Sequence, residues 1–242
     1  MSKKNTKEKI KPYKKKRPFF SFVKRILRLF YKKPKIVHLG KEIEQPSIVL
    51  SNHVSLKGPV INELYLPVRT VKWGAGEMLG NYKSRFKYMR DVFYIQKRGF
   101  NKARATFRAM FGAIFSKFFY RGMNLIGTWQ DSRMFTAVST SVEVLMDGTS
   151  VLIFPENSDE GYKDVLTQFH AGFVTLALSY YKRTNTDVPV YPVYYHNKKR
   201  ILMIGEPQSV QDYMAQGLNR EQIAEELRKI VNGLYEKIEA EY

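Results

Sequence analysis

No cysteine occurs anywhere in the chain. Disulfides, thiolate metal sites and cysteine nucleophiles are therefore excluded, and the composition fits a reducing compartment. Histidine is scarce: His38, His53, His170 and His196 show no metal-ligand spacing. No stretch of about 20 apolar residues is present, so no transmembrane helix is expected. The cluster Lys14-Lys15-Lys16-Arg17 leads into no uninterrupted apolar run with a small-residue cleavage site, so no secretory signal is expected either. No internal repeat is visible. Acids are almost missing from the first 35 positions, where fifteen Lys/Arg face Glu8 alone. That arm holds +14 of the formal +19, leaving +5 for the other 207 residues. The basicity belongs to an arm and not to the globular part.

What remains is enough for one sizeable core: 242 residues, 44% of them hydrophobic. Residues 1–18 are Lys-rich with almost nothing apolar, and are expected to be disordered in isolation. Residues 19–33 are expected to form an amphipathic helix. Phe19, Phe22, Val23, Ile26, Leu27 and Phe30 follow one helical face, and Lys24, Arg25 and Arg28 project elsewhere. This pattern suits a helix lying in an anionic membrane interface, helped by the neighbouring basic cluster. Two alternatives stand beside it: a helix packed on the domain with a solvated basic face, and a basic arm for nucleic acid. Aromatics grouped on one face suit a bilayer better than stacked bases.

Residues 34–242 are read as one α/β domain. Pro34 to Pro46 is expected to be a connector, and Ser47–Ser51 a strand ending in Asn52-His53. A helix over Val60–Tyr65, a strand over Arg69–Trp73, a turn at Gly74–Gly76 and a strand over Asp91–Gln96 follow. Asn101 is placed to cap a helix. Phe107–Tyr120 is unusually aromatic and too short to span a bilayer, which leaves a core helix, an acyl-chain wall or an interfacial helix. Met134–Met146 is read as a helix and Ser150–Phe154 as a strand buried on both faces. A helix over Phe169–Tyr181 and strands over Val188–Tyr195 and Ile201–Ile204 come next. Two prolines place the first of those strands at a sheet edge or irregular end. Asn219 caps a last helix whose apolar face is Ile223, Leu227, Ile230, Leu234 and Ile238. Strands alternating with helices predict a mostly parallel sheet flanked by helices. In such sheets ligands bind outside the carboxyl ends of strands. Asn52-His53, Lys97-Arg98 and Glu156-Asn157-Ser158 all fall at such expected ends, and a histidine there suits general-base work.

In this order the motifs resemble those of the phospholipid/glycerol acyltransferase family, typified by 1-acylglycerol-3-phosphate acyltransferase. Asn52, His53 and Ser55 match its first block, but Gly58 stands where the family has Asp. Phe93–Arg98 matches the second block loosely, with Arg98 the better counterpart of its arginine and Lys97 the other candidate. Phe154-Pro155-Glu156 matches the third, with Asn157 in place of glycine, and Val190-Tyr191-Pro192-Val193 matches the fourth. Phe169-His170-Ala171-Gly172 resembles the family's helix start with His170 for lysine. The likeness spans roughly residues 45 to 205, with the aromatic segment as a candidate insertion.

The resemblance implies a glycerol-phosphate acyltransferase-like fold, to which the residue pattern adds the N-terminal basic amphipathic helix. It implies acyl transfer from acyl-CoA or acyl-carrier protein to a lysophospholipid or glycerol-phosphate hydroxyl, with no cofactor beyond that co-substrate. His53 is then the base, with Asn52 beside it. Lys97, Arg98, Glu156, Asn157, Ser55, Ser158 and His170 are candidates for holding substrate. The missing Asp leaves three outcomes: a slow or inactive relative that binds lipid, another acid such as Glu63 orienting the ring, or a backbone carbonyl doing so. The expected place is cytoplasmic, peripheral on the inner face of the cell membrane, with an anionic membrane surface, acceptor and donor as partners and no nucleic acid.

Overall fold

The structure, a computed structural model, describes residues 17–242, so the expected basic arm lies outside the described residues except for its last two. Helix α1 runs over Pro18–Phe30. Strands β1 (Lys35–His38), β2 (Ile48–Ser51), β3 (Thr70–Ala75), β4 (Leu125–Thr128), β5 (Ser150–Ile153), β6 (Val190–His196) and β7 (Ile201–Ile204) form one sheet in the order β1-β7-β6-β2-β5-β3-β4. Every neighbouring pair is parallel except β6 with β7. Helices α2 (Lys57–Tyr65), α3 (Tyr82–Lys87), α4 (Lys102–Gly122), α5 (Met134–Met146), α6 (Gly172–Thr184), α7 (Val210–Ala215) and α8 (Arg220–Glu241) surround it. The mostly parallel α/β architecture is the one the alternating pattern predicts.

The strands are continuous apolar runs because both faces are covered. Alternate residues go to opposite sides. Ile48, Leu50, Val151, Ile153 and Tyr194 join α5, α6 and α8 in one core, while Val49, Leu152, Tyr191 and Val193 pack with Ile61 of α2 in the other. Asn219 caps α8 through a reciprocal capping box with Gln222. The α8 face is buried at Ile223, Leu227, Leu234 and Ile238 as expected, but Val231 takes the buried place assigned to Ile230.

Four expectations are corrected. The connector 34–46 contains β1, whose pairing with β7 no local pattern announces, and β4 was likewise unread. Gly74 and Ala75 belong to β3 and not to a turn. Tyr88–Gln96 is a wide π-type helix and not a strand. Its Phe93 and Tyr94 pack on Ala105 and Ala109 of α4, so tertiary packing overrides β-propensity there. β6 lies inside the sheet despite its proline. Pro192 accepts from Gly205 N at 2.8 Å, just past the end of β7, so its missing donor faces the last rung of the ladder.

Behind β3 lies a buried charge cluster. Glu63 of α2 accepts from Lys24 Nζ at 3.0 Å and Arg17 Nη2 at 3.2 Å through Oε1, and its Oε2 meets Lys72 Nζ of β3. Burial would raise the Glu63 carboxyl, but Lys72, Lys24 and Arg17 together hold it below its ordinary value. This cluster ties α1 to the domain.

Candidate active site

The centre of the sheet places His53. β2 lies between β5 and β6, and its end is clamped by Asn52, which is buried. Asn52 Nδ2 donates to Tyr195 O at 3.0 Å, and its Oδ1 accepts from Tyr195 N at 2.7 Å. Asn52 thus positions the next residue and does not reach the cavity. His53 N donates to Glu156 Oε1 at 3.1 Å, linking the carboxyl ends of β2 and β5. The chain then turns through Val54 (φ 42°) and Ser55 (φ 57°), two left-handed residues without the freedom of glycine. Such a conformation persists only where surrounding contacts impose it, and it falls directly after the candidate base.

The His53 ring is held by aromatics. Tyr162 stacks on it with centroids 4.9 Å apart and planes 18° apart, and Phe154 meets it at 5.0 Å and 65°. Its Nδ1 is buried and has no hydrogen-bond partner among the described residues. Burial, and then the Lys97 ammonium, push its pKa down from 6.5 to about 4, with the Ser55 backbone acting least and in the other direction. The imidazole is therefore neutral, and able to accept a proton, throughout the neutral range.

Gly58 explains the absent side chain in local terms. Its N donates to His53 O at 3.1 Å in the first turn of α2. A Cβ there would lie 2.2 Å from His53 O and 2.8 Å from Asn52 O. An aspartate at 58 would require the backbone of 52–58 to move. Glu63 does not replace it: both its oxygens are engaged by Arg17, Lys24 and Lys72, and it does not line the cavity.

His53 opens onto a cavity of about 1080 Å³. Lys97, Glu156, Asn157, Ser158 and His170 line it, so the structure brings five of the substrate-site candidates together. Lys97 Nζ donates to Ser158 Oγ at 2.6 Å. Burial pushes the Lys97 pKa down, while Asp159 and Glu156 act against it. Burial raises the Glu156 carboxyl to about 7, against the pull of the His53 N–H and of Lys97. Asn157 supports the loop: its N and its side chain both bond Gln168, at 2.9 and 3.0 Å. Ser55 does not line the cavity. Nor does Arg98, which is exposed and packs near Phe93 and Phe100. The preference for Arg98 over Lys97 is therefore reversed. The cation reaches the cavity from the end of a π-type helix and not from a strand.

Sequence reasoning missed Tyr162, Trp129 and Arg133. Trp129 and Arg133 also line the cavity, with the Arg133 guanidinium 4.6 Å from the Trp129 ring. Tyr162 lies six residues past Glu156 in a turn without periodicity. An aromatic in a polar turn following a motif was the one available signal. Trp73, Phe173 and Met134 supply apolar wall. The arrangement offers a neutral base, a cation and a carboxyl beside an apolar recess.

A family model described as Acyltransferase matches residues 28–196, from within α1 to the end of β6. Among solved structures the chain is similar to the 1-acyl-sn-glycerophosphate (LPA) acyltransferase PlsC from Thermotoga maritima, with a TM-score of 0.56 and 15% identity. That match covers 92% of this chain and 79% of the other, and at this identity it establishes a shared fold. No curated protein matches the chain.

Proposed function

The chain belongs to the acyltransferase family, and on that premise we propose that it acylates a lysophospholipid or glycerol-phosphate hydroxyl, using acyl-CoA or acyl-carrier protein, at an anionic membrane surface. The observation that carries this reading is the neutral His53 on the wall of a cavity that also presents Lys97 and Glu156. His53 takes the acceptor hydroxyl proton as the oxygen attacks the thioester carbonyl. The C–O ester bond forms, the C–S bond breaks, and the proton passes to the thiolate leaving group. Lys97, steadied by Ser158, attracts the acceptor phosphate. Phosphatidic acid from lysophosphatidic acid is the product this reading favours. The donor is a co-substrate, and no cofactor enters the steps. The protein works from the cytoplasm, held peripherally on the inner face of the cell membrane.

The test is acyl transfer by the full chain from acyl-CoA and from acyl-carrier protein to lysophosphatidic acid and glycerol 3-phosphate. Product formation supports the reading. No turnover above background with either donor, where a control enzyme works, overturns it. One observation favours a second reading, a relative that binds lipid without turnover: His53 Nδ1 has no acid to orient it. Both readings expect vesicle binding, so turnover separates them.

Glu156 makes the reading pH-sensitive. Its carboxyl is raised to about 7, so it ionises only as pH climbs through that value. Ionised, it accepts the His53 N–H more strongly and pairs with Lys97. kcat/KM is expected to rise through an apparent pKa near 7, because His53 is already neutral there. Stability has the opposite sign. The unfolded carboxyl ionises from about 4.5, so ionising Glu156 in the fold costs stability between about 4.5 and 7. Glu156→Gln is expected to remove the rise in kcat/KM. A midpoint unchanged in that variant would assign the titration elsewhere.

A further inference from the structure

Helix α4 is packed inside out. Its buried positions are Ala105, Ala109, Ala113 and Ser116, a stripe of small residues at helical spacing. Its exposed positions include Phe107, Phe111, Ile114, Phe115 and Phe118. Phe107 is 64% exposed and Phe115 72% exposed. A helix stabilised by water would bury its phenylalanines and leave alanine outside. None of these residues lines the His53 cavity, so the aromatic face is neither core nor acyl-chain wall.

The face continues onto α1. Phe19 meets Phe118 edge-on at 4.7 Å, and the Phe20 ring sits where a Cβ on Gly122 would be 2.2 Å away. Only Phe20 of α1 is fully buried, while Phe19, Phe22, Ile26, Leu29 and Phe30 point outward. Together the two helices expose an apolar area of a kind that marks an interaction surface.

Charge selects the occupant. No Asp or Glu occurs from Val92 to Gln130 or from Lys9 to Lys41. The cations of α4, Lys102, Arg104, Arg108, Lys117 and Arg121, are all exposed. Two copies meeting through this face would bring cations against cations. An anionic bilayer supplies both the apolar medium and the counter-charge.

We propose that the aromatic face of α4 enters the bilayer beside α1, so that two helices from distant parts of the sequence form one membrane-facing surface. The inference rests on the membrane half of the proposed function and is independent of catalysis. Because the chain has no cysteine, single positions can be labelled cleanly. The full chain is made as Phe115→Cys, as Leu29→Cys on α1 and as Glu236→Cys on α8, each carrying an environment-sensitive fluorophore. Phe111→Cys serves as a second α4 position should Phe115→Cys lose the wild-type thermal transition. Labels are read on vesicles of phosphatidylglycerol and phosphatidylethanolamine, with and without brominated acyl chains, and with no acyl donor or acceptor present. The α4 and α1 labels are expected to shift to the blue and to be quenched by brominated lipid, while the α8 label stays in water. An α4 label left in water while the α1 label inserts would overturn the proposal. So would an α4 label shielded by rising protein concentration without vesicles, which would make the occupant a second copy. Absent turnover in the enzyme assay leaves this readout unaffected, so the two failures are distinguishable.

Discussion

His53→Ala is expected to lower acyl transfer by about 10²- to 10⁴-fold, the range in which a positioned general base contributes. The fold should survive the change. The Asn52–Tyr195 clamp and the bond from the residue-53 N–H to Glu156 are independent of the ring. What is lost structurally is the stack on Tyr162 and the edge contact with Phe154, together costing about 1 to 3 kcal/mol. kcat/KM and thermal melting measured on one preparation separate the effects. A variant that keeps a tenth or more of wild-type kcat/KM would place the base elsewhere. The wild-type rate also has an expected ceiling. With no carboxylate on Nδ1, only the weak effect of the Ser55 backbone favours the imidazolium as it forms, and in serine proteases the loss of such a group's charge costs about 10⁴-fold. Stacking by Tyr162 restricts the ring without stabilising its charge.

The architecture was readable because each β-strand of the centre is a short apolar run with turn residues on both sides. Ser150–Ile153 and Ile201–Ile204 could be read that way from composition alone. β1 and β4 escaped because Lys35–His38 and Leu125–Thr128 are four-residue edge strands, fixed by their partners and not by their own pattern. In the site, His53 and Glu156 were legible because they flank strong strands, β2 and β5. Tyr162 was not, since only the fold of its loop brings it onto His53. The exchange between Lys97 and Arg98 has the same origin: they follow a π-type helix whose packing on α4 turns Lys97 toward the cavity, and a strand reading gives the wrong faces for both. The aromatic segment shows a different limit. Its composition was plain, but which side of α4 faces the domain depends on the small residues that fit against Phe93 and Tyr94.

Glu63→Gln is expected to destabilise the protein by about 3 to 5 kcal/mol, the cost of breaking a buried ion pair from one side. The reason lies in Lys72, which is 1% exposed in β3. Burial already pushes its pKa down, and Glu63 is the group that opposes this. With a neutral amide in that place, Lys72 must either give up its proton or stay charged without a counter-ion. Arg17 and Lys24 lose the same acceptor, so α1 loosens from the domain as well. Removing the whole pair should be milder. Glu63→Leu with Lys72→Met leaves no unpaired buried charge in the core and is expected to recover much of the loss. Kinetics complete the argument, because Glu63 is also the first acid after His53 in sequence. If its carboxylate oriented that ring, Glu63→Gln would cut kcat while leaving melting nearly unchanged. The geometry predicts the reverse: a large drop in melting temperature, with kcat of the folded fraction close to wild type. A catalytic loss at unchanged stability would show that Glu63 leaves its cations to serve His53.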